Sequence, residues 1–404
     1  MNKKKIINDP VYGFITLPYD SIYDVIQHPW FQRLRRIQQL GLSNLVYPSA
    51  VHTRFQHTLG ALHLMGLALE VLKSKKIIIS DLECEAACLA ILMHDIGHGP
   101  FSHALEKELA PVHHEEISSY IMNDLNKQLN GKLSLALKIF NNDYEKKYLH
   151  QLVSSQLDVD RLDYLNRDSF FTGVAEGVIG YDRIIKMLNV HEDNLVVEEK
   201  GIYSIEKFIV SRRLMYWQVY LHKTVVAAEQ MLIKVIHRAK YLTSQGKEVF
   251  GSPSLKVFLD SKNISAKNID EWLPMFMKLD DTDIYSALKV WQHHDDKILS
   301  YLSDGIINRK LFKVSFQSAT FNTQIIKQEK EKTKKYFKLE NDSDIDYYMV
   351  VNSTSNSAYN KQTGQIYIMQ KGNTIKDIAY ASDQLNISVL SAPVVKHFIC
   401  SWKN

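Results

Sequence analysis

The stretch Leu92 to Glu106, LMHDIGHGPFSHALE, decides how this 404-residue chain is read. It places three histidines and an aspartate around two glycines, directly behind the apolar run LECEAACLAI. Buried polar groups need partners, so packing alone is a costly reason for such a cluster. Apolar residues recurring three and four apart predict a helix ahead of the cluster, and Gly97 predicts its stop. Adjacent helical residues diverge by about 100°, so His94 and Asp95 reach one ion only if the helix ends there. Working outward, His57 stands on an earlier helical stretch and Asp160 on a later one. The donors His57, His94, Asp95 and Asp160 mix imidazole with carboxylate, a set that suits Mn, Fe, Zn, Ni or Mg and leaves room for water and a phosphate oxygen. A single helical histidine is more often an ordinary core or surface residue. The clustering changes that reading, because eight of the sixteen histidines fall between His52 and His114.

The surrounding chain reads as mainly α from about Ser21 to Lys240, with breaks at Pro29, at Pro48-Ser49, at Gly97 to Pro100 and around Gly173 to Gly180. A helical stretch from about Ile205 to Lys240 carries Arg212, Tyr216 and Tyr220 at four-residue intervals, on one face. DIYSALKVWQHHDDKILSYL predicts one amphipathic helix, and KQEKEKTKKYFK at 327–338 a solvated helix or linker. YYMVVNS and QIYIMQ flank a loop containing Asn360 and Gly364 and predict a pair of strands. The expected organisation is a helical core with its following helical region at 1–325, then a small α+β module at 326–404.

Composition narrows the function classes. Hydrophobic residues at 45% and charged residues at 23% exclude disordered and fibrous chains. No apolar run reaches the roughly 18 residues of a membrane span, and the start MNKKKIINDP lacks a signal peptide's apolar stretch. A cytoplasmic location is expected. Cys84, Cys88 and Cys400 are too few for a disulfide framework and read as buried thiols. The net charge of +4 suits polyphosphate ligands and is too mild to indicate nucleic acid.

The ordered runs INDPVYGFI, FQRLRRIQQLG, YPSAVHTRFQHTLG, LMHDIGHGPFSHALE, HHEE, LDVDRLDYLNRD and RKLFK cover roughly residues 5–320. Together they resemble the HD-domain deoxynucleoside triphosphate triphosphohydrolases. The resemblance implies an HD-domain helical core whose metal ligands are His57, His94, Asp95 and Asp160. Asp158 would be a non-ligand, and it reads equally as a helix cap. It further implies that His103, oriented by Glu106, is the general acid, with His98 and His114 in the same pocket. An imidazole suits that task because its pKa lies near working pH. Arg54, Arg161, Arg212 and Tyr164 would hold the triphosphate, since guanidinium forks match phosphate oxygens. Asp168 would face the sugar. Gln39, Leu40 and Tyr220 would pack on the deoxyribose and disfavour a ribonucleotide, whose extra hydroxyl would lose its partners.

Lys5, Asn8, Gln32, Arg35 and Arg309 match positions that hold an activating nucleotide between subunits in some relatives. Gln27 stands where guanine-reading relatives carry an aspartate, which predicts activation by a deoxynucleotide without strict dependence on guanine. A homo-oligomer, dimer or tetramer, is expected. Two other readings stay open: a nucleotidase or phosphodiesterase acting on another nucleotide with the same metal scaffold, and a catalytically silent nucleotide sensor. The complete set of ligands, acid and arginines argues against the sensor.

Overall fold

The computed structural model describes residues 5–260, 264–360, 364–383, 387 and 392–402. The fold is mainly α, as the periodicity predicts. Helix α1 (Arg54–Ser74) starts at a capping box in which the Thr53 amide donates to Gln56 Oε1 at 2.8 Å. Helix α2 (Asp81–Met93) starts at another, Ser80 with Glu83, and stops at Met93, so His94 and Asp95 do fall past the helix end. Helix α3 (His114–Gln128) follows the motif loop, and α4 (Val159–Thr172) opens on Asp158 and closes at Gly173 with φ +73°. Helix α1 packs against both α2 and α4, which gathers donors from three distant parts of the chain.

The stretch predicted as one helix from Ile205 is two. Helix α5 (Ile202–Met215) widens into a π turn at Tyr216–Tyr220, where the Leu221 amide donates to Tyr216 O at 2.7 Å, and α6 (Lys223–Ser244) restarts after His222. The predicted helix around residues 283–302 is likewise split, into α7 (Asp281–Trp291) and α8 (Lys297–Ile307). Asp296 takes the Leu299 amide at 2.9 Å, and such a cap competes with helix continuation. Helix α9 (Thr323–Phe337) is the solvated helix expected from its mixed charges, with Thr333 its buried residue.

Nine strands lie among the described residues. Strands β1 (Ile6–Asp9) and β2 (Gly13–Thr16) form a hairpin. Strands β3 (Leu188–His191), β4 (Asn194–Glu198), β7 (Tyr367–Met369) and β8 (Ile375–Asp377) form a sheet in the order β3-β4-β7-β8. Strand β9 (Val394–Ser401) lies between β5 (Lys313–Gln317) and β6 (Met349–Asn356) in a third sheet. YYMVVNS and QIYIMQ do supply strands, but they do not pair with each other: β6 pairs with β9, and β7 lies parallel to β4. Alternation reveals a strand but not its partner. Both sheets therefore combine strands from 326–404 with strands from earlier in the chain. No described helix is long and apolar enough to cross a membrane.

Candidate metal centre and active-site cleft

His57 on α1, His94 at the end of α2 and Asp160 on α4 converge. His57 Nε2 lies 3.1 Å from Asp160 Oδ1 and 3.4 Å from His94 Nε2, and His94 Nε2 lies 3.5 Å from Asp160 Oδ1. Donors held roughly 2.0–2.2 Å from one shared ion have mutual separations of this size. Asp95 stands at the edge of the triangle, with Oδ1 3.3 Å from His94 Nε2 and Oδ2 3.6 Å from His57 Nε2. Burial works against a charged His57, yet the hydrogen bonds to Asp160 and Asp163 raise its pKa to about 10. A site this negative, with imidazole and carboxylate donors, fits a divalent cation.

Each ring is turned by its other nitrogen. His57 Nδ1 meets Asp163 Oδ2 at 2.7 Å, and His94 Nδ1 meets Ile91 O at 2.6 Å, so both Nε2 atoms face the cluster. Asp163 accepts from Arg167 Nε at 2.9 Å and Nη2 at 3.1 Å, while Arg167 Nη1 donates to Asp9 Oδ2 at 2.8 Å. Gly60 makes room for this chain, since a Cβ there would lie 1.9 Å from Asp163 Oδ1. The sequence reading missed Asp9, Gly60, Asp163 and Arg167. A signal did exist for two of them, because Asp160, Asp163 and Arg167 recur at three and four residues on one face of α4.

The second group is His98, His103, Glu106 and His114. Gly97 does more than end a helix: a Cβ on it would meet His114 O at 2.2 Å, so its bareness lets α3 approach the motif loop. The Gly97 amide donates to Ser118 Oγ at 2.9 Å, and the His98 and His114 rings stack at 3.8 Å. Glu106 sits 3.3 Å from His103 Nδ1 and 3.1 Å from His114 Nδ1, and it also accepts the His114 amide at 3.0 Å. Although burial opposes it, these contacts hold Glu106 well below the usual carboxylate range. Burial, then the Arg54 guanidinium, pushes His98 well below its ordinary value. Phe101 and Ser102 adopt consecutive left-handed conformations, φ +53° and +47°. Asp281 braces that turn by accepting the Phe101 amide at 2.8 Å and the Gln38 amide at 2.8 Å, a role with no local sequence signal.

A cleft of about 500 Å³ runs past both groups and is lined by Asp95, Asp160, His98, His103 and His114. Arg54, Arg161, Tyr164 and Arg212 line it, as do Gln39, Leu40, Asp168 and Tyr220. Arg54 is buried and partly occupied, paired with Asp95 Oδ2 and donating from Nε to Ser102 Oγ at 2.8 Å. Arg161 pairs with Asp158, which caps α4 by accepting the Arg161 amide at 2.7 Å. Both oxygens of Asp168 have protein partners, His52 Nε2 at 2.7 Å and Tyr220 Oη at 2.8 Å, so it orients Tyr220. Glu229, missed in the sequence, also lines the cleft, and burial raises it to about 7.

The residues expected to hold an effector lie outside this cleft. Lys5 sits over the Tyr23 ring at 2.9 Å, and Arg35 sits over Phe55 at 3.6 Å while donating to Gln32 Oε1 at 2.8 Å. Arg309 donates to Leu45 O at 2.8 Å, and Asn8 and Gln27 are exposed.

Residues 54–168 match the HD domain family, a span that contains His57, His94, Asp95 and Asp160, and residues 179–249 match the HD associated region. The uncharacterized protein YwfO of Bacillus subtilis is 32% identical over 400 residues, covering 95% of this chain and 88% of that protein. The crystal structure of a phosphohydrolase from Bacteroides thetaiotaomicron is similar with a TM-score of 0.95 at 52% identity, over 99% of this chain and 100% of that one. The chain belongs to the HD-domain phosphohydrolase family. Relatives of this HD phosphohydrolase include the deoxynucleoside triphosphate triphosphohydrolase SAMHD1 homolog of Dictyostelium discoideum. That protein is 32% identical over 248 residues, 56% of this chain and 48% of its own length. HD domains bind divalent metals, and the His57, His94 and Asp160 triangle is a group that can hold one in this HD phosphohydrolase.

Proposed function

We propose that the chain hydrolyses deoxynucleoside triphosphates to deoxynucleoside and tripolyphosphate. The observation that carries this reading is one cleft lined together by Asp95 and Asp160 of the cation cluster, by Arg54, Arg161 and Arg212, and by Gln39, Leu40 and Tyr220. His57, His94, Asp95 and Asp160 would hold a divalent cation, which would supply Lewis acidity and lower the pKa of a nearby water. Arg161 and Arg212, with Tyr164, bind the phosphate chain, and Arg54 keeps Asp95 ionised and in place. His103 gives its proton to the departing 5′ oxygen as the oxygen of water joins the α-phosphorus and the P–O5′ bond breaks; the proton that water loses passes to solvent, from which the exposed His103 is reprotonated. Glu106 steers His103 and His114 at once. Leu40 and the Asp168-anchored Tyr220 crowd C2′, where a ribose hydroxyl would be desolvated without a partner.

The test is incubation with each deoxynucleoside triphosphate and several divalent metals, with products identified. Equal amounts of deoxynucleoside and tripolyphosphate are expected, and the matching ribonucleotide should be a poor substrate. Monophosphate with pyrophosphate, or orthophosphate alone, would replace this reading with a nucleotidase or phosphodiesterase. To the same reading belong a homo-oligomer, dimer or tetramer, and activation by a deoxynucleotide at Lys5, Asn8, Gln27, Gln32, Arg35 and Arg309. An absolute requirement for a guanine nucleotide would overturn the inference drawn from Gln27.

A further inference from the structure

The cleft does not end at its arginines. A second cavity of about 710 Å³ lies beyond them, and Arg161, Arg212 and Tyr216 line both spaces. The sugar-facing Gln39, Leu40, Asp168 and Tyr220 line only the first, as do His98, His103 and His114. The second space therefore opens from the end of the cleft where the phosphate-binding charges stand. One wall is formed by residues 154–156, just ahead of α4. The facing wall comes from the C-terminal part of the chain: Ser355 and Asn356 at the end of β6, with Ser357 and Asn360 beyond it.

The chemistry of this chamber is one-sided. Its described lining is rich in hydroxyl, amide and guanidinium groups and contains no carboxylate. The buried Nε atoms of Arg161 and Arg212 have no hydrogen-bond partner among the described residues. Arg212 Nη1 is turned toward the chamber wall by Gln156 Oε1 at 3.1 Å. Buried donors left open raise the free energy of the protein until a ligand or water satisfies them. Guanidinium donors beside neutral hydroxyls and amides match a chain of phosphates, with Arg161 held in place from behind by its pair with Asp158. The wall is also firmly based, because β6 pairs with β9 along its whole length from Met349 to Asn356, and β9 pairs with β5.

We propose that the chamber receives the distal phosphates of the bound nucleotide and then the inorganic tripolyphosphate released from it, with residues 355–357 as its C-terminal wall. The C-terminal segment is thereby a working part of the active site. The identity of the nucleotide rests on the function proposed above, whereas binding of a polyphosphate by the chamber does not.

The experiment is calorimetric titration of the full-length, metal-loaded protein with inorganic tripolyphosphate and with orthophosphate, in excess Mg²⁺ so that chelation does not strip the protein. Asn356→Asp places a negative charge in the wall at nearly constant shape. Ser357→Asp is the second variant, and Thr354→Asp, on β6 outside the chamber, is the control for added charge. Asn356→Asp and Ser357→Asp should each weaken tripolyphosphate by about tenfold, as a close like charge does, with a much smaller change for orthophosphate and none in Thr354→Asp. Equal tripolyphosphate affinity in wild type and both chamber variants, at unchanged melting temperature, would overturn the proposal. Weakening in a protein that turns over no deoxynucleoside triphosphate would uphold the chamber and remove the proposed substrate.

Discussion

His57 and His103 serve the same cleft on opposite terms. His57 is wholly buried, with Nδ1 on Asp163 and Nε2 facing Asp160. The His103 side chain is 71% exposed, and its hydrogen-bond partner is Glu106. Near His57, Asp163 is held by Arg167, which also reaches Asp9, and Asp95 is paired with Arg54. Around His103 a single carboxylate is shared with His113 and His114. Rigid, inward-facing donors suit a cation, whose binding depends on fixed geometry. An exposed ring with one acidic partner suits proton transfer, which needs access and an oriented ring. On the proposed function ligation falls to the first group and acid chemistry to the second, a division that can be broken at several points.

The largest effect should come from His57→Ala or Asp95→Asn, which are expected to abolish turnover and lower bound metal, measured by elemental analysis. Full activity with a normal metal content would break the assignment of the buried group. His103→Ala should keep its metal and lose about 10²- to 10⁴-fold in turnover; loss of metal in this variant would place His103 among the ligands and erase the contrast. Asp163→Asn sharpens it further, because this residue orients His57 without belonging to the cation triangle. Its metal affinity should fall by roughly 10- to 100-fold, as for other supports of a ligating histidine, and an unchanged affinity would reduce Asp163 to a packing role.

The smallest effect on catalysis should come from a polar cluster outside the cleft. Glu83 accepts from Tyr144 Oη at 2.6 Å and from Lys146 Nζ at 2.9 Å while closing the cap of α2. Burial acts against its charge, but Lys146, Tyr144 and Ser80 lower its pKa to about 2. A depressed carboxylate stabilises the fold above its unfolded pKa of about 4.3 and loses that contribution as pH falls toward 2. Glu83→Gln should therefore leave turnover and metal content intact and cost about 2 kcal/mol of stability at neutral pH. In denaturation curves the gap from wild type should narrow from pH 5 downward; a gap constant with pH would mean that the carboxylate charge is not what matters.

Several parts of the site were legible in the chain alone. The helix stop before Gly97, the His94-Asp95 pair beyond it and the Arg212, Tyr216, Tyr220 face follow from the glycine and from three- and four-residue spacing, which are local properties. The donor types likewise limited the chemistry to a divalent cation and a phosphate-bearing ligand. What local spacing cannot carry is the identity of partners far apart in sequence. Asp9 and Arg167 are 158 positions apart and Phe101 and Asp281 180 apart, so only the meeting of the β1–β2 hairpin with α4, and of the motif loop with α7, reveals these pairs.

The same limit explains the strand pairing. Alternating residues identify β6 and β7 as strands, but sheet partners are chosen by three-dimensional proximity, and β6 found β9 while β7 found β4. The amino-acid sequence by itself determined the helical class, the motif and the kind of ion and ligand it can hold, because those depend on residue type and near-neighbour period. Only the tertiary structure decided which rings are locked, which one stays exposed, and that the C-terminal strands wall the far side of the arginines. Burial and long-range contact are properties of the folded chain as a whole.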